Sequence, residues 1–225
     1  MKKSLLLAAL CFTAALAQAG VVVNNGVSGN TVNTFNALAT GNVAGLISQT
    51  GASYGERLAG QTLGISGGSD TLSGTPTGPL SLLSNATVAD NIGIIVSGSN
   101  VIYGDLNGAG GEGALSVLLD SDTDVFGFAI VGAGAGNFNV QFFDVSGSLL
   151  GSLTQTAANG FFGFATTGGD LIRAVSITNT DQGGIGFDNV TFNAAVAAVP
   201  EPTSLALVAL ALAGLGVGRR GNRKD

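Results

Sequence analysis

The 225-residue chain has no histidine and no tryptophan, a single cysteine, two tyrosines and four prolines. Without histidine it lacks the commonest general base and nitrogen ligand for metals. Cys11 lies in an N-terminal apolar stretch, so the rest of the chain can build neither a disulfide framework, nor a Cys-His nucleophile, nor a sulfur- or nitrogen-ligated zinc site. Sugar platforms favour the flat faces of Trp and Tyr, and here only Tyr54 and Tyr103 are on offer. Carboxylate chemistry is what remains. A glycosidase needs two carboxyls facing one cleft. Between the chain ends the only glutamates are Glu56, beside Arg57, and Glu112, between two glycines. Neither setting reads as that of a tuned acid, and the expectation is that the protein is not an enzyme.

Basic residues are also scarce. Of the 8, Lys2, Lys3, Arg219, Arg220, Arg223 and Lys224 sit at the two ends; of the 14 acidic residues, Glu201 and Asp225 do. The interior keeps only Arg57 and Arg173, for a balance of about −10. Such a surface repels nucleic acid and anionic lipid and tolerates cations and neutral polymers.

The ends have their own grammar. Met1-Lys2-Lys3 is a positive start, Ser4 to Ala15 an apolar run, and Ala17-Gln18-Ala19 an A-x-A site, the order of a signal peptide cleaved by signal peptidase to leave Gly20 first. Leu10 stands where a lipidated Cys11 would need a small residue. At the other end, Val199-Pro200-Glu201-Pro202 is extended by its prolines, Thr203 to Gly218 is uncharged and apolar, and Arg219-Arg220-Gly221-Asn222-Arg223-Lys224-Asp225 is basic. As a helix the 16 apolar residues span about 24 Å, slightly short of the ~30 Å hydrocarbon core, and the basic end stays on the cytoplasmic side. This order resembles the PEP-CTERM sorting tail of exported bacterial proteins. The resemblance implies that exosortase, a membrane enzyme, recognises Pro200, Glu201 and Pro202 and processes the tail. It implies a protein anchored in the membrane through that tail at first, and at the cell surface or outside the cell afterwards.

The chain therefore divides into a signal peptide (1–19), a β-sandwich domain (20–198) and a sorting tail (199–225). The middle is rich in glycine and poor in helix formers, with short Val/Ile/Phe runs between Gly, Asn, Asp and Ser punctuation. Strands are expected at Thr31–Leu38, Thr62–Ile65, Ile92–Val96, Asn100–Tyr103, Ala114–Leu119, Val125–Val131, Phe138–Phe143, Ser148–Leu153, Gly160–Ala165, Ala174–Thr178 and Phe187–Phe192. Phe126, Phe128 and Ile130 share one face, as do Phe138, Val140 and Phe142, and Val175 and Ile177. Ser66–Pro79, Asn107–Gly113 and Gly132–Gly136 read as loops. The fold class is all-β, a jelly-roll-like β-sandwich, with helices only in the signal peptide and the transmembrane tail.

Segments such as Tyr54-Gly55-Glu56-Arg57, Gly60-Gln61-Thr62, Leu72-Ser73-Gly74-Thr75-Pro76 and Gly184-Ile185-Gly186-Phe187-Asp188-Asn189-Val190 resemble a recurring secreted module found with this tail. That resemblance spans Tyr54 to Phe192 and implies a β-sandwich without an established activity.

Asp120, Asp122 and Asp124 alternate with Ser121 and Thr123. They read either as a solvated turn between two strands or as an oxygen set for calcium. Val125 and Val131 occupy the places where an EF-hand needs Gly and Glu. Gly183 to Thr191 matches one calcium-binding nonapeptide, which makes Asp188 a further metal candidate, although a β-roll needs stacked copies. The functional expectation is a noncatalytic component of the cell surface or extracellular matrix, sorted by exosortase. The alternative is a β-sandwich module that binds a polysaccharide such as exopolysaccharide, with or without calcium. Against the alternative, the 12 Phe alternate as core residues should.

Overall fold

The computed structural model describes residues 20–194. The expected signal peptide, with Ala17 and Ala19, the motif Pro200-Glu201-Pro202 and the transmembrane tail all lie outside the described residues.

The strands are β1 (Gly20–Val23), β2 (Thr31–Asn33), β3 (Gly41–Val43), β4 (Ile47–Gln49), β5 (Ala52–Gly55), β6 (Arg57–Leu58), β7 (Thr62–Ser66), β8 (Ser69–Ser73), β9 (Leu82–Leu83), β10 (Ile92–Ser97), β11 (Ser99–Leu106), β12 (Ala109–Gly113), β13 (Leu115–Thr123), β14 (Val125–Val131), β15 (Asn137–Phe143), β16 (Leu149–Thr156), β17 (Gly160–Thr167), β18 (Ile172–Asn179) and β19 (Gly186–Phe192). The one helical element among the described residues is a single 3-10 turn at Val88–Asp90.

Two antiparallel sheets carry the fold. One has nine strands, ordered β1-β17-β14-β19-β11-β10-β3, with β12 and β2 attached to β11 and β19; the other has six, ordered β16-β15-β18-β13-β5-β4. Phe126, Phe128, Phe164 and Phe187 from the first sheet and Phe138, Phe142, Val140, Val175 and Ile177 from the second bury their side chains in one shared core. The rings interlock across the gap, with Phe128 against Phe138 at 5.7 Å between centroids and Phe126 against Phe142 at 6.4 Å, both edge-on. Edge-to-face packing puts the positive rim of one ring on the negative face of the next.

The sandwich closes its own sides. β3 and β4 are outer strands of the two sheets and follow each other in the chain, so one short connection covers that flank. On the opposite flank β1 and β16 lie against each other, with Val21 over Gly151.

Each of the eleven expected stretches contains a strand, and the structure corrects their limits: of Thr31–Leu38 only Thr31–Asn33 is strand, and the chain then turns at Asn36–Ala37. β13 runs through Asp120 and Asp122 to Thr123, so these two aspartates lie on a strand rather than in a turn. Asp124 alone links β13 in one sheet to β14 in the other. The corner is tied by Thr123, whose hydroxyl donates to Val125 O at 2.8 Å and accepts from Asn193 N at 3.0 Å. β8 lies within the expected loop Ser66–Pro79 and β12 within the expected loop Asn107–Gly113. Both are held by backbone pairing, β8 to β7 and β12 to β11, which side-chain periodicity does not report.

Phe128 is fully buried and contacts Phe126, Phe138, Phe162, Phe164 and Phe187. Phe128→Ala is expected to lower the unfolding free energy by about 3–5 kcal/mol in denaturant titration. Val96→Ala, on an exposed strand position, is expected to change it by less than about 0.5 kcal/mol.

Candidate functional site

The expected metal residues do not converge. Asp122 accepts from Arg173 Nε at 2.8 Å, and Asp124 from Asn193 Nδ2 at 2.9 Å. Asp120 is exposed on the same strand as Asp122. Asp188 is buried in β19 opposite Ala129, toward the far end of β14 from Asp124. It accepts from Ser99 Oγ at 2.7 Å and from Asn189 N at 2.7 Å. Among the described residues no three carboxylates gather into a set that could hold a metal. The stretch that matches the nonapeptide forms a glycine turn into β19, with Gly184 at φ +73° packed on Gly110, where a side chain would not fit.

The structure instead draws attention to carboxylates buried beneath the hairpins. Glu56, at the β5–β6 junction, has no exposed surface. Arg57 pairs with its Oε2, and Asn85 Nδ2 donates to its Oε1 at 2.9 Å. Asn85 N donates in turn to Asn91 Oδ1 at 3.2 Å, and Asn91 Nδ2 donates to the carbonyls of Val43 and Gly45 at 2.7 and 2.8 Å. Asp105 N reaches Asn91 O at 2.6 Å, while the Asp105 carboxylate accepts from Asn42 Nδ2. Asn42 Oδ1 accepts from Tyr103 at 2.7 Å. These bonds pin the connections around β3 and the 3-10 turn onto the sandwich, satisfying backbone that no sheet reaches.

Asp70, on β8, accepts from Ala114 N at 2.9 Å through Oδ2, while its buried Oδ1 has no partner among the described residues. Burial pushes its pKa up to about 6; the negative charges of Glu56 and Asp90 add to this, and the Ala114 N–H and Arg57 offset part of it. Burial likewise raises Asp105, against the Asn42 hydrogen bond, and its Oδ1 is also unpartnered. Burial raises Tyr103 as well, with help from the Asp105 charge, and raises the enclosed Tyr54, whose hydroxyl accepts from Asn33 Nδ2 at 2.9 Å. Asp181 shows the reverse balance. Its burial is outweighed by the N–H groups of Ala135, Gly134 and Gly183, at 2.9, 2.7 and 2.9 Å, which hold its pKa below the ordinary value.

A cleft of about 270 Å³ separates the β7–β8 hairpin from the outward face of β15, β16 and β18. Asp70, Asn137, Asn139, Thr154 and Thr178 line it, and Asp70 is its single carboxylate. Sequence reasoning missed Asp70 because it lay in an expected loop; the signal was an Asp between hydroxyl residues in a stretch with no apolar alternation.

Comparison with known proteins bears on the tail. The family model of the PEP-CTERM protein-sorting motif matches residues 198–224. No curated protein and no solved structure matches the chain. The fold is thus an all-β sandwich of antiparallel sheets, and the chain carries a PEP-CTERM protein-sorting motif at its C-terminal end. The motif implies an exported protein that is anchored in the membrane and then processed by exosortase.

Asp70 sets a pH dependence whose sign is fixed. Its folded pKa, about 6, lies above its ordinary 3.8, so between these values the native state binds more protons than the unfolded state. The stabilisation it contributes is full below 3.8 and is lost as pH rises through 6. Asp144 and Asp181, held below the ordinary value, act oppositely and only below pH 3.8. Urea unfolding is expected to give higher stability at pH 4.5 than at pH 7.5, with Asp70 contributing on the order of 1–3 kcal/mol. Asp70→Asn is expected to flatten that slope; an unchanged slope would rule out Asp70 as its source.

Proposed function

We propose that this protein is a noncatalytic component of the cell surface or extracellular matrix, exported, sorted by exosortase, and acting through its presence as a folded body. Signal peptidase would leave Gly20 at the N-terminus, and exosortase would remove the tail near Pro200–Pro202. The sandwich reads as a jelly roll. Its last strands support this, since β11-β19-β14-β17 of one sheet face β13-β18-β15-β16 of the other in the order that a rolled pair of Greek keys produces.

The observation that carries the noncatalytic reading is how the buried carboxylates are used. Glu56, Asp70, Asp105, Asp181 and Asp188 each accept hydrogen bonds from the chain's own backbone or side chains. A general acid must instead present its carboxyl to substrate with a second carboxyl across the cleft. Glu112 lies half-buried on β12 and does not line the cleft beside Asp70. The test is a screen of the purified protein against chromogenic glycosides and soluble polysaccharides. No turnover above the buffer rate is expected. Turnover that disappears in Glu56→Gln, Asp70→Asn or Glu112→Gln would replace this reading with that of a glycoside hydrolase.

A further inference from the structure

One phenylalanine breaks the rule that phenylalanine belongs to the core. Register pairs Phe162 with Phe128 and Phe164 with Phe126, all facing inward, so Phe161, paired with Ala129, faces outward from the nine-stranded sheet. It remains half-buried there, and no other ring stacks on it among the described residues. The same outward face is cleared of side chains where the ring lies. Gly127 and Gly163 pair with each other, and a Cβ on Gly127 would come within 2.5 Å of the Phe161 ring. At Gly163 the space is taken by the loop 24–29, which docks by Asn24 N to Gly163 O at 2.7 Å and by Gly163 N to Asn25 Oδ1 at 3.0 Å.

Ring and loop enclose an open cleft of about 360 Å³, to which Ser28, Val32 and Thr191 also contribute. Val32 is 52% exposed. Asn25 uses its oxygen on the strand, which leaves Nδ2 as a donor, and the Ser28 hydroxyl has no partner among the described residues. No charged side chain lines the cleft. Both arginines of the described residues are paired, Arg57 with Glu56 and Arg173 with Asp122. Phosphate and carboxylate ligands therefore find no cation here. An aromatic face beside a few unused polar groups, without charge, suits a ring that is apolar on its faces and hydroxylated at its rim.

We propose that this cleft binds a neutral saccharide chain, with the C–H face of one sugar ring on Phe161 and sugar hydroxyls on Asn25 Nδ2 and Ser28 Oγ. This goes beyond a role by presence alone and stands apart from how the tail is processed. Affinity electrophoresis of the full-length protein in gels carrying dextran, glucomannan or mixed-linkage β-glucan, with alginate as the acidic control, tests it. Retardation is expected in at least one neutral polymer and not in alginate. Phe161→Ala should weaken it at least tenfold, Phe161→Trp should retain it, and Ser28→Ala should weaken it by a smaller factor. Because the ring lies outside the core, Phe161→Ala should melt within a few degrees of the parent; if it does not, Phe161→Trp and Ser28→Ala decide. Absence of retardation in all three neutral polymers, or equal retardation of the parent and Phe161→Ala, would overturn the proposal. So would a dimer in sedimentation that Phe161→Ala converts to monomer, since the face would then be a contact between copies.

Discussion

The phenylalanine seam between the two sheets is the contact on which the rest of the molecule depends. Phe126 and Phe128 reach from one sheet, Phe138 and Phe142 from the other, and Phe162 and Phe164 fill the spaces alongside. Large rings are needed because the interior offers little else of that size: it has no tryptophan, and many positions are glycine. Apolar burial scales with area, so a few fully buried rings supply a large part of the driving force in a chain so rich in small residues. Glycine in turn allows the close approaches around the seam, as where Gly184 packs on Gly110.

The acidic residues serve this framework more than any chemistry. A charge of about −10 on the interior portion of the chain would repel itself if it were concentrated, and the buried members are dispersed through hydrogen-bonded settings. Glu56 joins Arg57 to the asparagines that clamp the β3 region, Asp181 gathers three backbone N–H groups, and Asp70 ties the β7–β8 hairpin to Ala114. The first two are well compensated. Among the described residues Asp70 and Asp105 each keep one buried oxygen without a partner, and burial disfavours their charged forms.

How much of this could be read beforehand follows from the physics of each element. The long strands announced themselves because period-two apolar residues face a common core, as along Phe126, Phe128 and Ile130. Short strands such as β8 and β12 were invisible because backbone hydrogen bonds, not side chains, define them. Asp120, Asp122 and Asp124 are legible as solvated, but the strand conformation of Asp120 and Asp122 belongs to β13, which no local pattern encodes, and Asp124 is the bend that follows it. Asp188 looked like a ligand by its letters, and a serine from a distant hairpin takes its oxygen. Phe161 was the opposite case. A Phe-Phe pair must put one ring on each face of a strand, so the adjacent Phe161 and Phe162 already contained the outward ring. The tail was the most legible part, because its three-part order needs no tertiary context.

If the seam organises the molecule, the two sheets should behave as one cooperative unit, and the hairpins that cover them should open separately. Native-state hydrogen exchange measures this directly. Amides of β14, β15, β18 and β19 should exchange with one common, global free energy, while those of β7 and β8, anchored through Asp70 and through Gln182 to Gly67 O at 2.7 Å, should exchange through a smaller opening. Two distinct free energies for the two sheets, or a hairpin as protected as β14, would contradict the account.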